Sequence, residues 1–360
     1  MSNTMLANVF YEKEKMELKD VPIPEISETE VLIKVRASGI CGSDIAYYYG
    51  KSPLETPDGK GPLILGHEFS GDIVKVGSFV EKNQFLTVGD RVTAAPFHPC
   101  RACVYCRMAR PNLCNSTRTA GVNSNGSFAE YVKVEYSNAI VLPDDISYIE
   151  GVMVEPLACS SYGLKKLDVQ LGDFVVVIGS GTIGIMMAQL IKQQGAKTVL
   201  MSGIIDYPLE KAKEVGVDYI CNTLDQDSPY YTPDLAAKVM ELTDGLGANR
   251  VIVPVAAKSA FKDAFAVSGK ASTIVFFGLP GEQDIIEIPA LETLTSDKHV
   301  LFSWLAPYTW NEALRALKSG NLRAKELVTH TFPLEKVGEG IAFMNSDVSE
   351  KIKGMIVTDA

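Results

Sequence analysis

In the second half of the chain, short β-branched runs alternate with longer stretches of helical character. Phe174-Val-Val-Val-Ile178 carries no polar residue, as expected for a strand buried on both faces. A glycine-rich turn follows it at once. The next stretch, 185–191, has helical character and stops near Gly195. Residues 197–201, 219–221, 251–253 and 273–277 predict further strands, and 209–215 and 235–242 predict helices between them. Strands separated by helices indicate an α/β unit with a parallel, doubly wound sheet, spanning residues 158–292.

The first half has a different rhythm. Short β-type runs at 31–35, 70–76, 90–93 and 128–132 are separated by turn residues. They predict a mostly antiparallel, barrel-like unit. At 360 residues the chain is too long for one small core, and two domains are expected.

The turn after 178 reads Gly179-Ser180-Gly181-Thr182-Ile183-Gly184, a G-x-G-x-x-G between a predicted strand and a predicted helix. That is the setting the dinucleotide fingerprint requires. The glycines let the backbone turn sharply and approach a pyrophosphate, and the helix N-terminus offers N–H groups and positive dipole to the phosphates. The second strand of such a unit usually ends in an acid that holds the ribose hydroxyls of NAD. Here Gly203 stands at that place, and no basic residue follows to mark NADP. Asp206 could turn back to the ribose or cap the helix that follows it, and Lys211 could reach a phosphate. NAD or NADP therefore fits the motif, with NAD slightly favoured.

Composition narrows the partners. The formal net charge of −10 and the lack of a basic stripe argue against nucleic acid. The short basic stretch at 101–110 reads as a solvated loop surface. The first 20 residues show no charged-then-apolar signal pattern. The longest apolar run, 174–191, contains three glycines, and the fingerprint accounts for it better than a membrane span does. Seven cysteines, four of them clustered, argue against a disulfide framework and for a reducing, cytoplasmic setting.

Those four, Cys100, Cys103, Cys106 and Cys114, are spaced C-x2-C-x2-C-x7-C. Four thiolates this close suit one tetrahedral Zn²⁺ and leave no position for a substrate. Chemistry must lie elsewhere. Cys41 in Gly39-Ile-Cys-Gly-Ser-Asp44, with His67 and Glu68 in Gly66-His-Glu-Phe-Ser-Gly71, supplies candidate ligands for a second, open site.

Taken with Val88-Gly-Asp-Arg-Val92, Gly126-Ser-Phe-Ala-Glu-Tyr131 and Val154-Glu-Pro-Leu157, these motifs make the chain resemble the zinc-dependent medium-chain dehydrogenase/reductase family over nearly its whole length. Within the family it looks closest to the polyol branch of sorbitol and galactitol-1-phosphate dehydrogenases. The resemblance implies a GroES-like catalytic domain at 1–157 and 293–360, with a structural zinc lobe near 96–116 and a Rossmann domain at 158–292. A closing strand at 351–357 would complete the catalytic domain.

It further implies two zinc ions per chain and catalysis of hydride transfer between a nicotinamide cofactor and a polyol, sugar alcohol, sugar-alcohol phosphate or the matching ketose. Cys41, His67 and Glu68 would hold the catalytic zinc, and Glu155 would reach it directly or through water. Ser43 would start a proton relay, and Tyr47 and Trp304 would face the substrate. Phe277, Gly278 and Leu279 would meet the cofactor beside the fingerprint. A general secondary-alcohol or threonine-type dehydrogenase is the alternative, and a non-catalytic nucleotide- or zinc-binding protein a remote one. A homo-oligomer, dimer or tetramer, is expected. Two departures bear on the substrate: Ala46 stands where sorbitol-type enzymes carry histidine, and the stretch 302–308 lacks their arginine.

Overall fold

The computed structural model describes residues 3–52 and 61–358. The chain divides into two compact units. The first comprises residues 1–156, 313–348 and 353–360, and the second 157–312 with 349–352.

The second unit is built on six parallel strands: Phe174–Ile178, Thr198–Gly203, Tyr219–Asn222, Ala248–Val253, Ser268–Phe276 and His299–Phe302. Numbered in chain order, they lie side by side as 3-2-1-4-5-6. This is the doubly wound order, whose reversal point sits between the first and fourth strands. All five residues of Phe174–Ile178 are buried, which explains their lack of polar side chains. Helices Thr182–Gln193, Asp206–Glu214, Leu235–Leu242 and Lys258–Val267 connect the strands. Phe261, Phe265 and Phe276 pack together in one of the unit's cores.

The first unit holds a seven-stranded, mostly antiparallel sheet. At its centre Glu30–Gly39 pairs with Glu68–Val76 on one side and with Lys353–Val357 on the other. Tyr131–Glu135 also pairs with Glu30–Gly39, and Arg91–Ala94 extends the sheet beyond Glu68–Val76. Val31, Ile33 and Val35 alternate inward with Phe69, Ile73 and Val92 to form the core beneath this sheet. A separate three-stranded sheet joins Thr4–Glu12, Lys15–Pro22 and Leu63–Ile64.

The chain returns to the first unit later than its resemblance implied. The return was expected at 293, but strand His299–Phe302 adds in parallel to Ser268–Phe276, so the second unit keeps the chain through 312. The strand escapes a pattern reading because it has only four residues, with one polar residue and three of them exposed.

The turn between the first strand and helix Thr182–Gln193 shows what its glycines do. Gly179 has φ of +130°, a conformation costly for any other residue. A Cβ on Gly184 would lie 2.0 Å from the Gly179 carbonyl oxygen. No atom lies within 4 Å of a Cβ on Gly181. The third glycine therefore seats the helix on the strand, and the second leaves open space. Gly184→Ala should lower stability by about 2 kcal/mol through overpacking, measured as a shift in the urea midpoint. An unchanged midpoint would refute the close-packing role.

Candidate active site and metal centres

Strand register assembles the first cluster. Glu68 opens its strand directly across from Gly39, the last residue of the central strand. The chain leaves that strand through Ile40 into Cys41, which stands at the N-cap of helix Gly42–Tyr48. Asp44, one turn in, accepts the Cys41 backbone N–H at 2.9 Å and the Gly66 N–H at 3.1 Å. One buried carboxylate thus ties the cysteine segment to the histidine segment. Ligand atoms of Cys41, His67 and Glu68 all lie within 4.8 Å of one another.

His67 lies between two oxygen groups. Its Nδ1 is 3.5 Å from Asp44 Oδ1, an ion-pair distance without a proper hydrogen bond, and its Nε2 is 3.5 Å from Ser43 Oγ. Burial alone would disfavour the imidazolium. Asp44, and then Cys41, outweigh it and push the ring well above the usual histidine range. The pocket therefore favours positive charge, which is the field a cation needs.

Behind Glu68 stands a residue that sequence reasoning missed. Lys353, which opens the closing strand, pairs with Glu68 Oε2 and donates to the Ile40 carbonyl at 3.1 Å. Both side chains are buried. Burial works against the ammonium, but Glu68, followed by Cys41 and Glu155, holds its pKa above the ordinary lysine value. Asp44 was missed as well. Its signal was present as a cysteine followed three residues later by an acid at a helix start, the spacing of a capping box.

The remaining expected residues scatter in role. Glu155 is buried in the first turn of helix Val154–Leu167 but lies outside the 4.8 Å set. Its pull on Lys353 keeps it electrically part of the same pocket. Tyr47 Oη is buried with no hydrogen bond of good geometry, although Ser52 acts on it weakly. Burial pushes its pKa up, and it feels the charges of His67 and Asp44. An orphaned hydroxyl beside the cluster is a place for a substrate oxygen. Trp304 is half-buried in the second unit, in the irregular stretch after His299–Phe302.

The four-cysteine lobe is compact. Arg101 and Ala109 adopt left-handed backbone, with φ of 59° and 58°, at the turns that fold the loop back on itself. The Cys100 backbone N–H donates to Cys114 Sγ and the Cys103 N–H to Cys100 Sγ, each at 3.3 Å. Cys103 Sγ lies 3.5 Å from Cys106 Sγ. Backbone N–H groups of Ala102 and Cys103 draw the Cys100 thiol down to about 6, while burial and the neighbouring sulfurs push Cys106 up to about 12. Four thiols set this close cannot all ionise against one another, and a divalent cation removes that conflict.

In the second unit, Thr182 Oγ1 donates to the Ile352 carbonyl at 2.9 Å, so the fingerprint hydroxyl is engaged. Ile183 is half-buried on the same first turn. The backbone N–H groups of Phe277 and Gly278 both donate to the Val253 carbonyl, and a Cβ on Gly278 would strike the Val255 backbone at 2.2 Å. Leu279 is exposed beyond them. At the end of Thr198–Gly203 no carboxylate is free. Asp206 accepts from Asn222 Nδ2 at 2.6 Å and Ser228 Oγ at 2.7 Å, and Ile205 takes the N-cap. Asp206 is therefore not the N-cap, its two hydrogen bonds both fall on Oδ1, and Lys211 pairs with Glu214.

The chain as a whole matches known proteins. The family model of the alcohol dehydrogenase GroES-like domain matches residues 27–144, and that of the zinc-binding dehydrogenase domain matches residues 182–319. The chain is 34% identical over 348 residues to a D-arabitol-phosphate dehydrogenase of Enterococcus avium, covering 95% of this chain and 94% of that one. It is 35% identical over 323 residues to a sorbitol dehydrogenase of Halalkalibacterium halodurans, covering 89% of each. A solved structure from Sinorhizobium meliloti 1021, described as a zinc-binding dehydrogenase bound to NADP, superposes with a TM-score of 0.88 at 28% identity, covering 98% of this chain and 99% of that one. Among the described residues no helix is long and apolar enough to cross a membrane. The GroES-like and Rossmann architecture, the two metal-ligating clusters and these matches establish that the chain belongs to the zinc-dependent medium-chain dehydrogenase family, in its polyol dehydrogenase branch.

Proposed function

We propose that the enzyme oxidises a secondary hydroxyl of a polyol or polyol phosphate, and reduces the matching ketose, at the Cys41–His67–Glu68 cluster. The observation that carries this reading is the donor set itself: one sulfur, one imidazole and one carboxylate, gathered beside a buried, unbonded Tyr47 hydroxyl. Three protein ligands leave a position for substrate, whereas the four-cysteine set leaves none.

Cys41 and Glu68 supply two negative charges and His67 a neutral nitrogen. Asp44 faces Nδ1, which leaves Nε2 as the ligand atom. Zinc held by Cys41, His67 and Glu68 would supply Lewis-acid polarisation of the substrate oxygen, and a nicotinamide would supply the hydride acceptor. Ser43 Oγ, next to Nε2, would take the alcohol proton while giving up its own hydroxyl proton toward solvent, as the first link of a relay. Tyr47 holds a neighbouring substrate hydroxyl, and Glu155 balances charge at longer range. The Gly179–Gly184 turn cradles the pyrophosphate, with the opening at Gly181 as its seat. Seven cysteines with no disulfide among the described residues suit a reducing, cytoplasmic setting.

The slight preference for NAD finds no support at the end of Thr198–Gly203. Gly203 has no side chain to offer a ribose diol, and Asp206 is already hydrogen-bonded. We therefore propose that NAD and NADP are both accepted. The proposed homo-oligomer forms along His299–Phe302, the edge strand of the six-stranded sheet, where Leu301 and Phe302 are exposed.

Metal analysis should return about two zinc per chain, falling to about one in Cys41→Ser. Two zinc retained by that variant would overturn the assignment of the open site. Initial rates on polyols, polyol phosphates and simple secondary alcohols should give the highest kcat/KM with one of the first two classes. NAD and NADP should differ by less than about tenfold, and Asp206→Ala should leave the NAD KM within about twofold. A clear preference for simple alcohols would favour the general alcohol dehydrogenase reading. Light scattering should give a multiple of 39.1 kDa, and Phe302→Glu should reduce it; a monomeric parent protein would remove the edge-strand interface.

A further inference from the structure

Lys353 has no part in the proposed reaction, yet it makes the cluster's closest charge contact. Glu68, Gly39 and Lys353 lie on three neighbouring strands. Glu68 stands directly across from Gly39 on one side, and on the other Gly39 pairs with Met355, two residues beyond Lys353. The ion pair spans the middle strand over the one residue that has no side chain. A Cβ on Gly39 would lie 2.0 Å from Glu68 Oε2 and 3.1 Å from Lys353 Cε. Glu68 is 1% exposed and Lys353 4%, so neither can turn to water for a partner.

Glu68 also belongs to the three-residue metal set. A carboxylate drawn onto a buried ammonium is a poorer ligand, and the ammonium's own charge repels a second cation. We propose that Lys353 is a positioning residue that occupies Glu68 as an internal counter-cation and competes with the metal for it, so that it sets how tightly the open site holds zinc. This rests on the reading that Cys41, His67 and Glu68 bind zinc. A pair that served only to hold the strands together would stabilise the zinc-loaded and zinc-depleted protein equally. A competing lysine stabilises chiefly the depleted one.

The test strips the open site with a chelator, leaving the four-cysteine ion in place, and titrates zinc back against a chromophoric competitor. Cobalt substitution reports the ligand set through its thiolate charge-transfer and d–d bands. Lys353→Met should tighten zinc by about tenfold or more, the scale on which groups behind a metal ligand act. Its depleted form should melt well below the depleted wild type, while the loaded forms melt close together. Lys353→Arg should keep the wild-type affinity. In a Glu68→Gln background the gain from Lys353→Met should shrink severalfold, to what the ammonium's direct repulsion of the cation leaves, because most of the coupling runs through that carboxylate. Unchanged or weaker zinc binding in Lys353→Met overturns the proposal, as does an equal loss of melting temperature with and without zinc. Should Lys353→Met fold only when loaded, zinc release to excess chelator should be slower than in wild type, and equal or faster release overturns it. A wild-type protein that takes up no cobalt after stripping fails at the earlier step, refuting the metal site itself.

Discussion

The first unit depends on the register of three strands around Gly39. Pairing Glu30–Gly39 with Glu68–Val76 so that Gly39 faces Glu68 does two jobs at once. It carries the chain out of the sheet directly into Cys41, and it delivers the carboxylate beside that cysteine. A slip of one residue would send Glu68 to the opposite face of the sheet and replace it with His67 or Phe69. The long ladder between these strands, with Ile33, Val35, Phe69 and Ile73 buried along it, makes such a slip expensive. Apolar packing far from the site thus positions the polar groups within it.

The two metal-ligating clusters solve opposite electrostatic problems. In the lobe, four like groups sit close together on one loop, and backbone N–H donors lower the charge cost for Cys100 and Cys103. At Cys41, His67 and Glu68 the candidate ligands are chemically mixed, with Glu68 buried and the other two half-buried, and the surroundings add Asp44, Glu155 and Lys353. The first arrangement needs only an ion. The second must keep three carboxylates, a thiol, an imidazole and a lysine compatible in one pocket, and hydrogen bonds from the Cys41 and Gly66 backbone carry part of that load.

Most of the architecture was legible in the sequence because its signals are local. Helix Leu235–Leu242 lies where its periodicity puts it, and Phe174–Ile178 is the buried strand its composition describes. The two clusters of candidate metal ligands were legible as clusters because cysteine and histidine are scarce and their spacing is constrained. Strand Ser268–Phe276 begins five residues before its apolar run, since Ser268-Gly-Lys-Ala-Ser272 carries no β-type pattern and Ala271 is left-handed. Lys353 was illegible for a different reason. A lysine at the start of a strand normally reads as a solvent-facing residue, and its partner is 285 positions away. Asp206 shows the same limit: a free carboxylate and one held by Asn222 and Ser228 look identical in sequence.

The first unit is discontinuous, and this has a consequence for how it comes into being. Strand Lys353–Val357 lies inside its sheet, between Glu30–Gly39 and Val328–Pro333, rather than at an edge. A ribosome making the chain from its N-terminus would release residues 157–312 as one uninterrupted stretch able to fold as it emerges, while the earlier unit waited with an unfilled slot in its sheet. Until the last residues appear, Gly39 has a ladder partner on one side only and Glu68 has no lysine. The order of synthesis thus makes a nascent chain most exposed, and most in need of protection from edge pairing, at the strand that later carries the ligands.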